Sequence, residues 1–149
     1  FFNKSSLIDV GDFNKSGNSY NENWRVPYLS IERQLEYKFI LSIEGNDVAT
    51  STKWIMSSNS LCFMTKPKFE TWFMEGTLIP NHHYVLISDD YSDLEEKINY
   101  YTLNTKEAED IIQNAKEYIC QFKNKRSEDW LHLKILERYF YFSGQLNKL

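Results

Sequence analysis

The sequence lacks several features that would assign it to a particular class of protein. No apolar run approaches the roughly 18–20 residues needed to cross a bilayer, and no secretion signal is recognisable, so we expect a cytoplasmic protein. Acidic residues outnumber basic ones by 21 to 17, and the net charge of −4 disfavours nucleic-acid binding. Cysteine is scarce: Cys62 and Cys120 have no CxxC spacing, which predicts two buried, reduced thiols and no disulfide framework.

Metal-ligating residues at metal spacing are also missing. His82 and His83 are adjacent in a predicted strand over residues 83–87, and neighbouring strand residues point to opposite faces. No third ligand stands at a suitable distance in the sequence. The sequence therefore predicts no zinc site, and it contains no internal repeat.

Aromatic residues are abundant instead. Ten Tyr, ten Phe and four Trp predict a core that is largely aromatic. A length of 149 residues suits one domain, spanning residues 1–149. Because the sequence starts with Phe1 and not with Met, we expect it to be part of a longer protein.

The most informative stretch is a link of four residues, Glu44-Gly45-Asn46-Asp47. The apolar run before it, residues 37–43, predicts a buried strand, and residues 48–57 predict a helix. A second strand over residues 60–64 would then be parallel to the first. Such a βαβ unit gathers unpaired N–H groups at the link, where a phosphate can bind. The alternative is that Gly45 is a simple turn residue with positive φ.

Several polar side chains surround this link. The hydroxyls of Thr50, Ser51 and Thr52 either share an anionic ligand with the backbone or only cap the helix. Lys53 points at a diphosphate or at solvent. Arg25, ahead of the unit, either reaches a phosphate or forms a surface ion pair.

The loop over residues 65–68 follows the second strand at the same edge of the sheet. Residues 69–75 then predict a short helix stopped by Gly76, with Glu70 and Glu75 on it. A carboxylate has two oxygens that can accept both hydroxyls of a ribose. Either glutamate is a candidate for that role, and the alternative for both is a solvated side chain.

The remaining chain predicts mostly helices. Residues 7–10 suggest a short strand, residues 14–22 a loop, and Ser30 caps a short helix over residues 31–36. A capping box over residues 92–95 begins a helix that runs to about Tyr101. Thr105 caps a helix whose apolar stripe consists of Ala108, Ile111, Ile112, Ala115, Ile119 and Phe122.

The last predicted helix begins at Ser127 and ends at Gly144. Apolar side chains occupy much of its circumference, so we expect it to be well buried, against this domain or against a missing partner domain. Three basic residues precede it. They form either a solvated helix end or a contact with a negatively charged membrane face, and they are Lys123, Lys125 and Arg126.

The sequence resembles glycosyltransferase family 90, and within it the bacterial branch. These are capsule-associated and lipopolysaccharide-modifying enzymes, similar to the protein O-glucosyltransferases of eukaryotes. The likeness covers roughly residues 7–142, and the joint order of its blocks makes it specific. The blocks are residues 37–49, 53–54, 58–60, 70–76, 78–80, 83–84 and 89–94.

The resemblance implies a fold and a reaction. The fold is a Rossmann-like parallel sheet flanked by helices, the C-terminal half of a GT-B enzyme. The reaction transfers a sugar with inversion from a UDP-sugar donor to a lipopolysaccharide or polysaccharide acceptor, without a cofactor or a required metal. The catalytic base is an aspartate of the N-terminal domain, so no catalytic residue is expected here, and the chain alone should turn over poorly or not at all.

The resemblance also assigns roles to residues. It implies that the diphosphate lies at Gly45, Asn46, Asp47, Thr50 and Ser51. Lys66 and Pro67 would flank the base, and Glu70 or Glu75 would hold the ribose. Eukaryotic relatives have an arginine at the position of Ser51, so Lys53 or Arg25 would have to supply the cation in this chain.

Two other functions compete with this interpretation. The first is a non-catalytic α/β binding or assembly module that keeps the fold without transferring a sugar. The second is an independent enzyme of flavodoxin-like shape with a phosphate ligand, which is disfavoured because no catalytic acid–base pair is visible in the sequence.

Overall fold

The computed structural model of the chain describes residues 5–13 and 22–145. Most of the loop predicted over residues 14–22 therefore lies outside the described residues. The elements, in chain order, are α1 (Ile31–Gln34), β1 (Phe39–Leu41), α2 (Ser51–Met56), β2 (Leu61–Met64), β3 (Val85–Leu86), α3 (Leu94–Leu103), α4 (Thr105–Cys120) and α5 (Lys125–Phe142). Short 3-10 helices lie at Glu22–Trp24, Glu75–Thr77 and Gln121–Lys123.

The three strands form a parallel sheet in the order β1-β2-β3. Leu41 lies opposite Phe63 in the first pair, and Phe63 lies opposite Val85 in the second. The predicted βαβ unit is confirmed, because α2 connects two parallel neighbours. The α/β class is confirmed as well, while a place in a GT-B enzyme remains a prediction.

Side chains of the central strand alternate between two apolar clusters, as the period of a strand requires. One cluster contains Cys62 and Met64, packed with residues of α2 and α4, namely Ile55, Met56, Ala115 and Ile119. The other contains Leu61 and Phe63, packed with residues of α3 and α4, namely Leu94, Tyr101, Ala108 and Ile111. All four residues of β2 are buried, and the apolar stripe predicted on α4 supplies core residues.

The predicted helix over residues 69–75 is wrong. The Glu75 carboxylate accepts hydrogen bonds from the Thr71 N–H at 2.7 Å and from the Thr71 hydroxyl at 2.8 Å. Met74 has a φ of 56°, which no helix accommodates. The segment is therefore a turn, followed by the 3-10 helix Glu75–Thr77.

Two smaller predictions also differ from the structure. Residues 7–10 form no strand; Asp9 there accepts a hydrogen bond from the Tyr37 hydroxyl at 2.6 Å. The capping box is not made, because the Ser92 hydroxyl bonds to Asp90 and the Asp93 carboxylate accepts from the Ser88 N–H.

The predicted helix starts and the predicted burial of the cysteines agree with the structure only in part. The Ser30 cap is confirmed, since its side chain accepts from the Arg33 N–H. Thr105 is the first residue of α4 and not its cap. The final helix begins at Lys125 and is capped by the Asn124 side chain, two residues before the predicted start. Both cysteines are free, but Cys62 alone is buried; Cys120 is exposed, against expectation.

The expected burial of α5 against this domain is wrong. None of its 18 residues is buried within the described part of the chain. Nine large apolar side chains are exposed instead: Trp130, Leu131, Leu133, Ile135, Leu136, Tyr139, Phe140, Tyr141 and Phe142. No helix among the described residues combines the length and apolarity that crossing a membrane requires.

Candidate functional site

The loops that follow the three strands are joined at Lys68. Glu44, after β1, accepts a hydrogen bond from the Lys68 N–H at 3.0 Å. The Lys68 ammonium lies 3.2 Å from the carboxylate of Asp89, which follows β3. Because parallel strands end at the same edge of a sheet, these contacts gather the three loops into one surface, where α/β proteins bind their ligands.

The turn after β1 leaves several backbone donors open. Gly45 donates to the carbonyl of Asp47 at 3.1 Å, and Val48 donates to the Asp47 side chain at 2.7 Å. Across the described ranges 5–13 and 22–145, no acceptor faces the N–H groups of Asn46, Asp47, Thr50 and Ser51. Two amides of the turn are therefore used internally, while these other N–H groups have no acceptor within the described residues.

The backbone of Gly45 does not adopt the left-handed conformation that would require a glycine. Gly144 is the one glycine with positive φ among the described residues, so the explanation of Gly45 as a positive-φ turn residue is wrong. A Cβ added at Gly45 would meet no atom within 4 Å. The missing side chain therefore leaves open space beside the free amides, without relieving any contact inside the protein.

The hydroxyls at the start of α2 have different partners. Thr50 occupies the N-cap position but makes no side-chain capping bond, and it is exposed. The hydroxyl of Ser42, at the end of β1, lies 2.7 Å from the Thr52 hydroxyl and 3.3 Å from the Ser51 hydroxyl. Since α2 has only six residues and hence a small dipole, local amides and not the helix would hold an anion here.

Lys53 is committed to an internal ion pair. Its ammonium lies 3.1 Å from the Glu75 carboxylate and above two aromatic rings. The distances to the ring centres are 5.4 Å for Trp72 and 5.1 Å for Phe73. Lys53 therefore neutralises a protein carboxylate, in an environment that strengthens the pair by partial removal from water.

The two candidate glutamates have opposite environments. Glu75 is only 3% exposed, and its two oxygens accept bonds from Thr71 and Lys53. Burial raises its pKa, but the hydrogen bonds from Thr71 and Lys53 outweigh that effect and lower the pKa below its ordinary value. Glu70 is exposed, and one of its oxygens lies 3.2 Å from where a Cβ on Gly76 would be.

The other predicted site residues fall into two groups. Lys66 is exposed and Pro67 is half-buried, both in the loop after β2. If the register of β1 and β2 is extended, Lys66 lies level with Glu44. Arg25 lies on the N-terminal segment, in a backbone bridge with Asp12. The hydrogen bonds from the Lys68 and Phe69 N–H groups to Glu44 place the loop that contains Lys66 and Pro67 beside the link that contains Gly45.

A large cavity lies beside β1, and its lining extends to Ile43, the residue before Glu44. It has a volume of about 860 Å³ and opens between the N-terminal segment, β1 and α3. Its lining is mostly apolar, including Leu7, Val26, Phe39, Leu94 and Ile98. Such a lining does not suit a diphosphate, which requires hydrogen-bond donors or cations.

The pattern of glycosyl transferase family 90 matches residues 4–142. The chain belongs to glycosyltransferase family 90. The match includes α5 up to its last residue, Phe142, so the exposed helix is part of the family's common sequence. The suspected family is thereby confirmed.

Two curated relatives show how the chain compares with complete proteins. It is 45% identical over 139 residues to the O-glucosyltransferase LpsA of Dichelobacter nodosus, an alignment that covers 93% of this chain and 43% of that protein. It is 30% identical over 110 residues to the uncharacterized protein 179R of Invertebrate iridescent virus 6, covering 69% of this chain and 9% of that protein. The chain therefore spans less than half the length of the curated relatives it matches.

Two residues at this edge of the sheet are not distinguished by the sequence. The Glu44 carboxylate, in the predicted link, accepts a hydrogen bond from the Lys68 N–H and so connects two loops. Trp72 is 62% exposed, with its ring beside the Lys53 ammonium. A carboxylate directly after a parallel strand was the available signal for Glu44, since it must lie beside the next strand's loop.

Proposed function

We propose that this chain is the donor-binding part of an inverting glycosyltransferase that uses a UDP-sugar and acts on a lipopolysaccharide or capsule acceptor. Family membership and the 45% identity to an O-glucosyltransferase support the reaction class. The observation that carries the binding site is Gly45, whose missing side chain leaves space in a turn where several N–H groups have no acceptor among the described residues.

The proposed mechanism follows from charge. In an inverting transfer, an acceptor hydroxyl loses its proton to a base and attacks the anomeric carbon while the bond to the diphosphate breaks. Negative charge then grows on the departing UDP, and N–H groups fixed at the turn stabilise it without reorganising. In this proposal the base is an aspartate outside this chain, and the reaction proceeds without a metal.

The proposal assigns the ribose to Glu70 and not to Glu75. Both oxygens of Glu75 already accept hydrogen bonds inside the protein, so binding a ribose would require breaking them. Glu70 is exposed on the same segment, next to Phe69, whose N–H faces Glu44 at 3.5 Å. Lys66 and Pro67 precede it in the loop and would lie beside the base.

Calorimetry with UDP and with uridine tests this site. We expect Gly45→Val to weaken UDP binding at least about tenfold, because a branched side chain would fill the space at the amides. Uridine affinity and the melting temperature should stay unchanged, since the added atoms meet no protein neighbour. Ser57→Val, exposed at the other end of α2, is the matched control.

The opposite results are equally clear. UDP binding that is absent in the wild type, or unaffected by Gly45→Val, would refute the donor site. It would favour the alternative of a non-catalytic α/β module that has kept the fold.

We further propose that α5 packs against the part of the polypeptide that this chain does not include. The helix exposes nine large apolar side chains and belongs to the family's common sequence. A helix that is apolar around its circumference is stable in water only when covered. Because LpsA is more than twice as long as the matched region, the remainder of such a protein is the expected cover.

Hydrogen exchange tests the cover of α5. Its amides should exchange slowly in the full-length protein and rapidly in this chain alone. Equal exchange in both would refute the proposed packing.

A further inference from the structure

A buried carboxylate near the proposed site has no role in the mechanism described above. Glu75 is 3% exposed, and burying a charged group costs free energy unless it is paired. Here the pairing is complete, with the Thr71 N–H and hydroxyl and the Lys53 ammonium as donors. Such an arrangement holds its surroundings in one geometry.

The network joins the two segments that form the proposed site. Lys53 belongs to α2, which follows the Gly45 turn, and Thr71 belongs to the segment after β2. Glu44 makes an equivalent connection, because its carboxylate faces the N–H groups of Lys68 and Phe69. Glu70 therefore lies between two neighbours whose backbone N–H groups are each held by a glutamate.

The Glu70 carboxylate also lies against Gly76. One of its oxygens lies 3.2 Å from the position that a Cβ on Gly76 would occupy. Gly76 directly follows Glu75, so fixing Glu75 also fixes the surface on which Glu70 rests. The backbone beside Glu70 and the surface under its carboxylate thus depend on the same buried group.

We infer that Glu75 is a positioning residue that orients Glu70 toward the ribose of the donor, with Lys53 as its counter-ion and not as a ligand of the diphosphate. This inference rests on the proposed function. A ligand carboxylate must stay within a fraction of an ångström of its productive position, which a flexible exposed glutamate does not do unaided.

The test compares two probes in the full-length protein: UDP and 2′,3′-dideoxyuridine 5′-diphosphate, which lacks the ribose hydroxyls. Hydrogen bonds to a charged group predict that the wild type prefers UDP by about tenfold or more. Glu70→Gln should reduce this preference. Glu75→Gln should reduce it to a similar extent, although Glu75 touches no ligand.

A double variant distinguishes positioning from an independent effect. If Glu75 acts through Glu70, adding Glu75→Gln to Glu70→Gln should change the preference no further, because coupled residues are not additive. Glu109→Gln, exposed on α4, is the control and should keep the wild-type preference. A folded Glu75→Gln variant with the full wild-type preference would overturn the inference.

Lys53→Met tests whether Lys53 is the counter-ion of Glu75 and not a ligand of the diphosphate. This test remains informative if Glu75→Gln does not fold. We expect it to lower the preference for the ribose hydroxyls while the ratio of UDP to uridine affinity stays at its wild-type value. A fall in that ratio would show Lys53 to be a phosphate ligand and overturn the inference. If the wild type binds UDP without preferring it over the dideoxy probe, the ribose role of Glu70 itself fails, which is a distinct outcome.

Discussion

The two longest helices of the chain behave in opposite ways. Within the described residues, α4 has 16 residues and buries Ala108, Ile111, Ala115 and Ile119, whereas α5 has 18 residues and buries none. Yet α5 carries the larger apolar side chains, including Trp130 and Phe140. Apolar content therefore does not decide burial in this molecule; the arrangement of the apolar residues does.

The difference lies in periodicity. The buried residues of α4 recur every three or four positions and form one stripe, whose members pack into the two apolar clusters of the sheet. The apolar residues of α5 surround the helix, so covering them requires neighbours on more than one side. Within the described residues, the sheet and α2–α4 form one body and bury their apolar clusters without α5. Under the proposal made above, a surface outside this body covers α5.

The largest contrast should appear in the reactivity of the two cysteines. Burial raises the pKa of Cys62, in β2, to about 12, whereas Cys120 at the end of α4 is exposed. In the native protein we expect a thiol reagent to modify Cys120 at least about a thousandfold faster than Cys62, since thiolate and access are both required. Mass spectrometry of the labelled peptides gives the two rates.

Unfolding in urea should make the two cysteines equivalent, which is the control for this measurement. If Cys62 and Cys120 were modified at similar rates in the native protein, β2 would have to open readily. That result would contradict the burial of β2 in a stable core.

Shortening a core residue of α4 should have the next largest effect. Ile111→Ala removes buried atoms that pack against β2 and α3, and such changes cost about 2–5 kcal/mol of unfolding free energy. Urea denaturation followed by circular dichroism measures this loss. A loss below about 1 kcal/mol would contradict the assignment of α4 to the body.

The Glu75 network should contribute less, and in a pH-dependent way. Glu75→Gln should lower the unfolding free energy at pH 7 by about 1–3 kcal/mol, the contribution of hydrogen bonds to a charged group. The folded pKa is below the ordinary value of 4.5, so this stabilisation is present above the unfolded pKa and is lost as pH falls through the folded pKa.

Wild type and Glu75→Gln should therefore converge in stability as the pH falls through the folded pKa of Glu75, which lies below 4.5. Denaturant titrations between pH 7 and 3 test this. A difference that stays constant with pH would indicate that packing, and not charge, explains the role of Glu75.

The smallest effect should come from α5. Leu133→Ala should change the unfolding free energy of this chain by less than about 0.5 kcal/mol, because the side chain is exposed. The same substitution in the full-length protein should cost more if α5 is covered there. A negligible change in unfolding free energy in both forms would contradict the proposed cover, since α5 would then need no partner.

Regular hydrophobic patterns predicted the body well. The parallel pairing of β1 and β2 followed from two apolar runs and a link of the right length, and the stripe on α4 followed from its spacing. The prediction of a helix over residues 69–75 is wrong because the Thr71 N–H donates to the Glu75 side chain. Helix propensities do not include such a side-chain hydrogen bond. The predicted burial of α5 against this domain is wrong, because an apolar pattern indicates that a helix needs cover and not which surface covers it.

The location of the candidate site could be predicted from the sequence, but the environments of its side chains could not. The Gly45 turn and the loop after β2 follow from topology alone, since parallel strands end together. The different environments of Glu70 and Glu75 arise from long side chains that fold back across a turn. Sequence spacing could therefore nominate both glutamates, while only their hydrogen bonds distinguish the buried one from the exposed one.

Gly45 offers a way to measure the proposed ligand's distance from the chain. Because a Cβ added there meets no protein atom within 4 Å, Ala, Ser, Val and Leu at this position form a series of increasing size. The size at which donor affinity collapses would report the clearance between the main chain and the bound molecule. Substitutions at Gly45 would therefore measure how closely the donor approaches the main chain.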